Sequence, residues 1–117
     1  MSERMDNRVA REVCGWREVK DWGNIWRMRN NKIRKHYIGW TPSTNIAHAI
    51  EALELAAERV KGLWWCLCEC DNGKFRCDIY HPQFHICEMS KTACLAICRA
   101  LLAPKVLRAL REHKKKK

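Results

Sequence analysis

Trp64-Trp65-Cys66-Leu67-Cys68-Glu69-Cys70-Asp71-Asn72-Gly73-Lys74-Phe75-Arg76-Cys77-Asp78-Ile79-Tyr80 reads as two strands around a turn. Strand side chains alternate between faces, so Cys66, Cys68 and Cys70 share one face with Trp64. Asn72-Gly73 is a hairpin signal, because these residue types accept the two positive-φ positions of a type I′ turn. A two-residue loop of that kind predicts Cys70 opposite Phe75, Cys68 opposite Cys77, Cys66 opposite Ile79 and Trp64 opposite His81. The other face then pairs Glu69 with Arg76, Leu67 with Asp78 and Trp65 with Tyr80, a wetter mixture. The cysteine face is therefore the expected core face.

That reading accounts for the high cysteine content, eight in 117 residues. A free cysteine behaves as a small hydrophobe and is among the most buried residue types. The spacing contains no C-x-x-C knuckle of the kind that closes a zinc site, so no cofactor is expected. Zinc held by Cys77, His81, His85 and Cys87 is the weaker alternative, since both ligand types stand close together there. A Cys68–Cys77 disulfide fits the register but needs an oxidising compartment. The first fifteen residues carry charges throughout and no apolar run, so the expected setting is the reducing cytoplasm of a host cell.

Outward from the hairpin, Met5, Val9, Ala10, Val13 and Cys14 recur at helical spacing, with Ser2 as the predicted cap and Gly15 as the left-handed stop. Two aromatic segments, 22–28 and 35–40, predict a first hairpin. Pro42, Ser43 and Thr44 suit the start of the longest helix, whose stripe is Ile46, Ala49, Ile50, Leu53, Ala57 and Val60 and which Gly62 ends. After the cysteine hairpin, Phe84 to Glu88 predicts a further short strand. Ser90 is the expected cap of a helix with Cys94, Ile97, Cys98, Leu101 and Leu102 on one face. The order α-β-β-α-β-β-α predicts an α+β sandwich around a mainly antiparallel sheet of four to five strands.

Length predicts one domain, residues 1–104, with Pro104 as its boundary and 105–117 as a basic tail. The formal net charge is +10, of which +6 falls in residues 105–117 and +4 in the preceding 104. Basic residues of the tail, Lys105, Arg108, Arg111, Lys114 and Lys115, suit phosphate binding that reads no sequence. A second cluster, Arg27, Arg29, Lys32, Arg34 and Lys35, lies in the first hairpin beside Trp40, where cations and aromatic faces can clamp a nucleotide or single strand. Ser43 and Thr44 add the N–H groups of a helix start, a ready anion site. Each cluster also has a plainer reading: solubilising charge, core aromatics and helix capping.

Several segments together resemble a known family. Val9-Ala10-Arg11-Glu12-Val13-Cys14-Gly15-Trp16, Trp40-Thr41-Pro42-Ser43-Thr44-Asn45-Ile46-Ala47, the Asp-Asn-Gly hairpin and Ala96-Ile97-Cys98-Arg99-Ala100-Leu101 resemble the phage ABA-sandwich domain family over roughly residues 5–103. The resemblance implies a sheet between helices and a bacteriophage or prophage origin, and it brings no enzymatic activity. The cysteine stripe and the basic end depart from that pattern.

Signatures of catalysis are missing. The five glycines are isolated, with no phosphate-binding loop, nucleophile elbow or H-E-x-x-H helix. The expected function is accordingly non-enzymatic: a phage accessory protein that antagonises a bacterial defence system, inhibiting a nucleic-acid-guided nuclease or sequestering a signalling nucleotide. The alternative is a DNA- or RNA-binding regulator. Expected partners are a host defence protein, a nucleotide or a nucleic acid, without membrane, and a homodimer is compatible with the sequence.

Overall fold

The computed structural model describes residues 5–15, 17–18, 26–27 and 41–115, with side chains for 5–15 and 41–112. The chain is α+β. Helix α1 (Met5–Arg8) runs directly into a π-helical stretch, Val9–Cys14, and Gly15 ends it at φ 75° with its N–H on the Ala10 carbonyl. The predicted left-handed stop therefore stands. Ser2 lies outside the described residues.

Strand β1 (Arg17–Glu18) pairs antiparallel with β2 (Trp26–Arg27) in a two-residue ladder. The expected strand over 22–28 thus exists as β2, but its partner is Arg17–Glu18; the segment 35–40 lies outside the described residues. Helix α2 (Ile46–Arg59) follows, then β3 (Trp64–Glu69), β4 (Phe75–His81) and β5 (Phe84–Ser90) in a three-stranded antiparallel sheet of that order. Helices α3 (Ala93–Leu101) and α4 (Pro104–Lys115) complete the chain. Among the described residues the five strands form two separate sheets, not the single four- to five-stranded sheet expected.

The register of β3 on β4 differs by one residue from expectation. Leu67 faces Cys77, Trp65 faces Ile79, Cys66 faces Asp78 and Cys68 faces Arg76. The cause is the turn. Gly73 N–H donates to the Cys70 carbonyl at 3.0 Å and Cys70 N–H to the Lys74 carbonyl at 2.7 Å, which closes a three-residue loop over Asp71, Asn72 and Gly73. Gly73 takes the left-handed position at φ 81°, while the Asn72 side chain accepts from Lys74 N–H at 3.0 Å. One extra loop residue sends every β3 side chain to the opposite face relative to β4. This register lines Trp65 and Leu67 up with Phe75, Cys77 and Ile79, and it removes more apolar area from water than Cys66 and Cys68 would.

The core lies on that face. Cys77 and Ile79 are fully buried beneath Ile97, Cys98 and Leu101 of α3, with Ala49, Ala52, Leu53 and Ala56 of α2 and Val9, Ala10 and Val13 behind them. The cysteines therefore divide. Cys14, Cys77, Cys94 and Cys98 are buried, whereas Cys66 and Cys87 are exposed and Cys68 and Cys70 half-buried. The expectation that the 66–68–70 stripe is a core stripe is corrected, and a Cys68–Cys77 disulfide is excluded because the two point to opposite faces.

Thr92, not Ser90, caps α3, with its hydroxyl accepting from Leu95 N–H at 3.1 Å. Beyond Pro104 the structure also departs from expectation. Val106, Leu107 and Leu110 are buried in the main core, so 105–115 is a packed helix and not an appended tail. Pro104 is its first residue, where a missing N–H costs nothing.

Candidate functional site

Five of the expected binding residues, Arg29, Lys32, Arg34, Lys35 and Trp40, lie outside the described residues. Arg27 is placed as backbone in β2, and Lys114 and Lys115 as backbone in the last turn of α4.

The start of α2 is satisfied from within. Asn45 is the cap, its side chain accepting from His48 N–H at 3.2 Å, and the Thr44 and Asn45 N–H groups both donate to the Thr41 carbonyl. Ser43 N–H does donate to an anion, but the anion is the protein's own Asp6, 2.8 Å away and 5% exposed. His48 Nδ1 accepts from Thr41 N–H at 3.1 Å. The anion site expected at Ser43 and Thr44 is thus a tether between the first helix and the second.

Helix α4 presents its cations in two different states. Arg111 Nη2 donates to Glu12 Oε1 at 3.2 Å, and the other oxygen of Glu12 accepts from Arg8 Nε at 3.2 Å with Arg11 4.0 Å away. Arg111 therefore holds α4 to the first helix. Lys105 and Arg108 are exposed and form no ion pair with a described residue. Together with Gln83, Phe84, Ala109 and Glu112 they line a cleft of about 240 Å³.

A second cleft of about 310 Å³ adjoins it, sharing Gln83, Ala109 and Glu112 and adding Arg59, Lys61 and His81. The pair forms one trough between α4 and the β4–β5 turn. His81 and Phe84 close that turn as cross-strand partners, and their rings stack 4.7 Å apart at 14°. His81 Nδ1 accepts from Gln83 N–H at 3.1 Å, which leaves the proton of the neutral ring on Nε2. The loop before β3 forms the end wall. Gly62, at φ 87°, lies so near the turn that a Cβ there would stand 3.2 Å from the Pro82 Cδ. Arg59 Nη1 donates to the Val13 carbonyl at 2.6 Å, joining the C-terminal end of α2 to that of the first helix.

The outer face of the three-stranded sheet is the other concentration of chemistry. Trp64, Tyr80 and His85 stack in register across all three strands, with centroids 4.1 and 4.6 Å apart, and Trp64 is 57% exposed. Asp78 stands at the centre of this face. It accepts from Arg76 Nε at 2.9 Å and His85 Nε2 at 3.0 Å, and Cys87 is its cross-strand neighbour on β5. Burial alone would raise its pKa, but the interactions with His85, Cys87 and Arg76 outweigh burial and hold the carboxyl below its ordinary value. Cys87 is shifted the other way: partial desolvation of its sulfur and the adjacent Asp78 push its thiol up, although the residue as a whole is exposed.

The four residues of the zinc alternative are not brought together. Cys77 points into the core while His85 and Cys87 lie on the outer face, and no group of three or more metal-ligating side chains gathers among the described residues. Sequence reasoning missed Asp78 and the Trp64–Tyr80–His85 stack because both depend on the register. The alternation of Phe84 and Ile86 with His85, Cys87 and Met89 was the available signal. It also missed Gln83 and Phe84 as trough residues, which only the docking of α4 reveals.

No helix among the described residues is long and apolar enough to cross a membrane. No family model matches the chain, and no curated protein matches it in sequence. One solved structure does match: a phage protein from Bacillus cereus ATCC 14579, with a TM-score of 0.60 and 17% identity over 93% of each chain. At that identity the likeness concerns architecture, and it extends over nearly the whole of both molecules. The chain thus has the α+β fold of that Bacillus cereus phage protein.

Proposed function

We propose that the protein is a small, non-enzymatic accessory protein of phage or prophage origin that acts by binding an anionic macromolecular partner, and that it antagonises a bacterial defence system such as a nucleic-acid-guided nuclease. The observation that carries this reading is the state of α4. Its apolar side is held in the core, which leaves Lys105 and Arg108 on the outside with no ion pair to a described residue. A basic edge carried on an anchored helix is suited to phosphate or carboxylate recognition. The open trough beside it supports a macromolecular surface better than enclosure of a free nucleotide, which would be expected to be mostly buried. The phage protein of the same fold supports the viral origin.

The test is a plating assay. The protein is expressed in a bacterium whose guided nuclease restricts a sensitive phage, beside the double variant K105Q/R108Q. Restored plating by the natural sequence and its loss in the variant support the reading. Restriction unchanged by the natural sequence, across hosts with different guided nucleases, would refute the anti-defence role.

A further inference from the structure

We infer that the trough between α4 and the β4–β5 turn is a binding site for single-stranded nucleic acid, an inference that rests on the anionic-partner reading above and names its ligand. Three observations converge. Lys61, Lys105 and Arg108 are exposed, and they stand around the trough from two sides, the first from the loop before β3 and the others from α4. None forms an ion pair with a described residue, whereas Arg8, Arg11 and Arg111 converge on Glu12 and Arg76 is taken by Asp78.

The trough wall, secondly, is aromatic. His81 lines one cleft and Phe84 the other, and the two rings stack on each other. Cations beside aromatic faces are what a single strand needs, because every base has a π-face and every linkage a charge. An acidic peptide would use the charges and leave the stack idle.

The third observation concerns hydrogen bonds. Because His81 Nδ1 is occupied by Gln83 N–H, Nε2 carries the ring proton of the neutral form and is a donor to a phosphate oxygen. The Gln83 side chain, exposed between the clefts, offers an amide donor and acceptor suited to a base edge. The trough follows α4 from Lys105 to Glu112, about 10 Å at the helical rise, a length that accommodates a short stretch of extended strand. Glu112, the one acidic residue of the lining, is shared by both clefts and repels phosphate where they meet.

The experiment is fluorescence anisotropy on the full chain with a labelled oligo(dT), the corresponding oligo(dA)–oligo(dT) duplex and a labelled oligoglutamate peptide, across a salt series. Two triple variants are compared: K61Q/K105Q/R108Q in the trough, and K74Q/K91Q/R99Q, which removes the same charge elsewhere on the surface. Circular dichroism confirms that both are folded. The expected result is binding of oligo(dT) in preference to both other probes. The trough variant should weaken it by about tenfold or more and lower the salt slope by about 2, as loss of three phosphate contacts to a single strand requires. The other variant should stay within about twofold. Equal loss in both variants, or preference for the duplex or the peptide, overturns the trough while leaving an anionic partner in place. Failure to bind any of the three probes overturns the trough and the anionic-partner reading together.

Discussion

Leu67 of β3 stands directly opposite Cys77 of β4, so the two side chains enter the core together and the cysteines on either side of Leu67 are turned outward. One residue in the Asp71-Asn72-Gly73 loop decides this. The outward facing of Cys66 and Cys68 follows from it.

Burial pushes the Cys77 and Cys98 thiols up to about 12 and raises that of Cys14 as well. Alkylation requires the thiolate, so at pH 8 these three are expected to label only after denaturation. Exposed Cys66 should label first and Cys87, also exposed, more slowly, since partial desolvation of its sulfur and the adjacent Asp78 both oppose its ionisation. Iodoacetamide time courses read by peptide mass spectrometry test the order. Protection of Cys66 with labelling of Cys77 would contradict the register.

Gly73 offers a test of the loop itself. A Cβ at this position meets nothing within 4 Å, so substitution is sensitive only to the left-handed φ of 81°. Gly73→Ala is expected to destabilise by about 1–2 kcal/mol, and Gly73→Asn by less, because Asn tolerates that region best among residues with a side chain. Urea unfolding of the three proteins measures the difference. Equal stability of Ala and Gly at this position would mean that the loop does not require a left-handed residue there.

Helix α4 should behave as core. Leu110 is 1% exposed, and Leu110→Ala is expected to cost about 2–5 kcal/mol in a urea titration, as for other buried leucines. Lys105→Gln on the outer side should change stability by less than about 0.5 kcal/mol. A Leu110→Ala protein as stable as the natural one would return the segment to the status of a tail.

The outer face of the sheet makes a prediction about acid. Asp78 has a lowered pKa in the folded chain, so the unfolded state takes up its proton first as pH falls. The stabilisation from this carboxylate is therefore complete above its unfolded pKa, near 3.9, and is lost as pH drops through the folded value. Thermal unfolding from pH 6 to pH 2 should show a steeper loss for the natural protein than for Asp78→Asn. The variant should already be less stable at pH 6, by about 1–3 kcal/mol for the charge-assisted bonds removed. Parallel pH profiles would show that Asp78 contributes nothing to acid sensitivity.

Much of the fold was legible because helices announce themselves locally. The Met5–Cys14 periodicity and Gly15, the α2 stripe from Ala49 to Leu53, though not its expected first member Ile46, which is exposed, and the Cys94–Leu101 face each carry their signal within a few turns of chain. The existence of the central hairpin was equally local, but its register was not. Asp-Asn-Gly closes as a two- or a three-residue loop at similar local cost, and the choice is settled by whether Trp65 and Leu67 or Cys66 and Cys68 are buried under α3. The candidate site was legible only in part. Lys105 and Arg108 stood out by charge, whereas Lys61, His81, Gln83 and Phe84 join them only through tertiary packing. Ser43 was expected to offer its N–H to a bound anion, and its acceptor Asp6, 37 residues earlier, could not be paired with it from spacing.

The clasp between Arg111 and Glu12 joins positions 99 residues apart, and the leucine and valine side chains flanking Arg111 complete the same core as the first helix. A chain built this way cannot complete its core until α4 has been made. Its first helix must wait for that helix, with apolar surface uncovered, until α4 has left the ribosome. Slow translation would lengthen that exposure, and its yield in a cell should depend on chaperones that hold nascent chains more than the stability of the finished molecule would suggest.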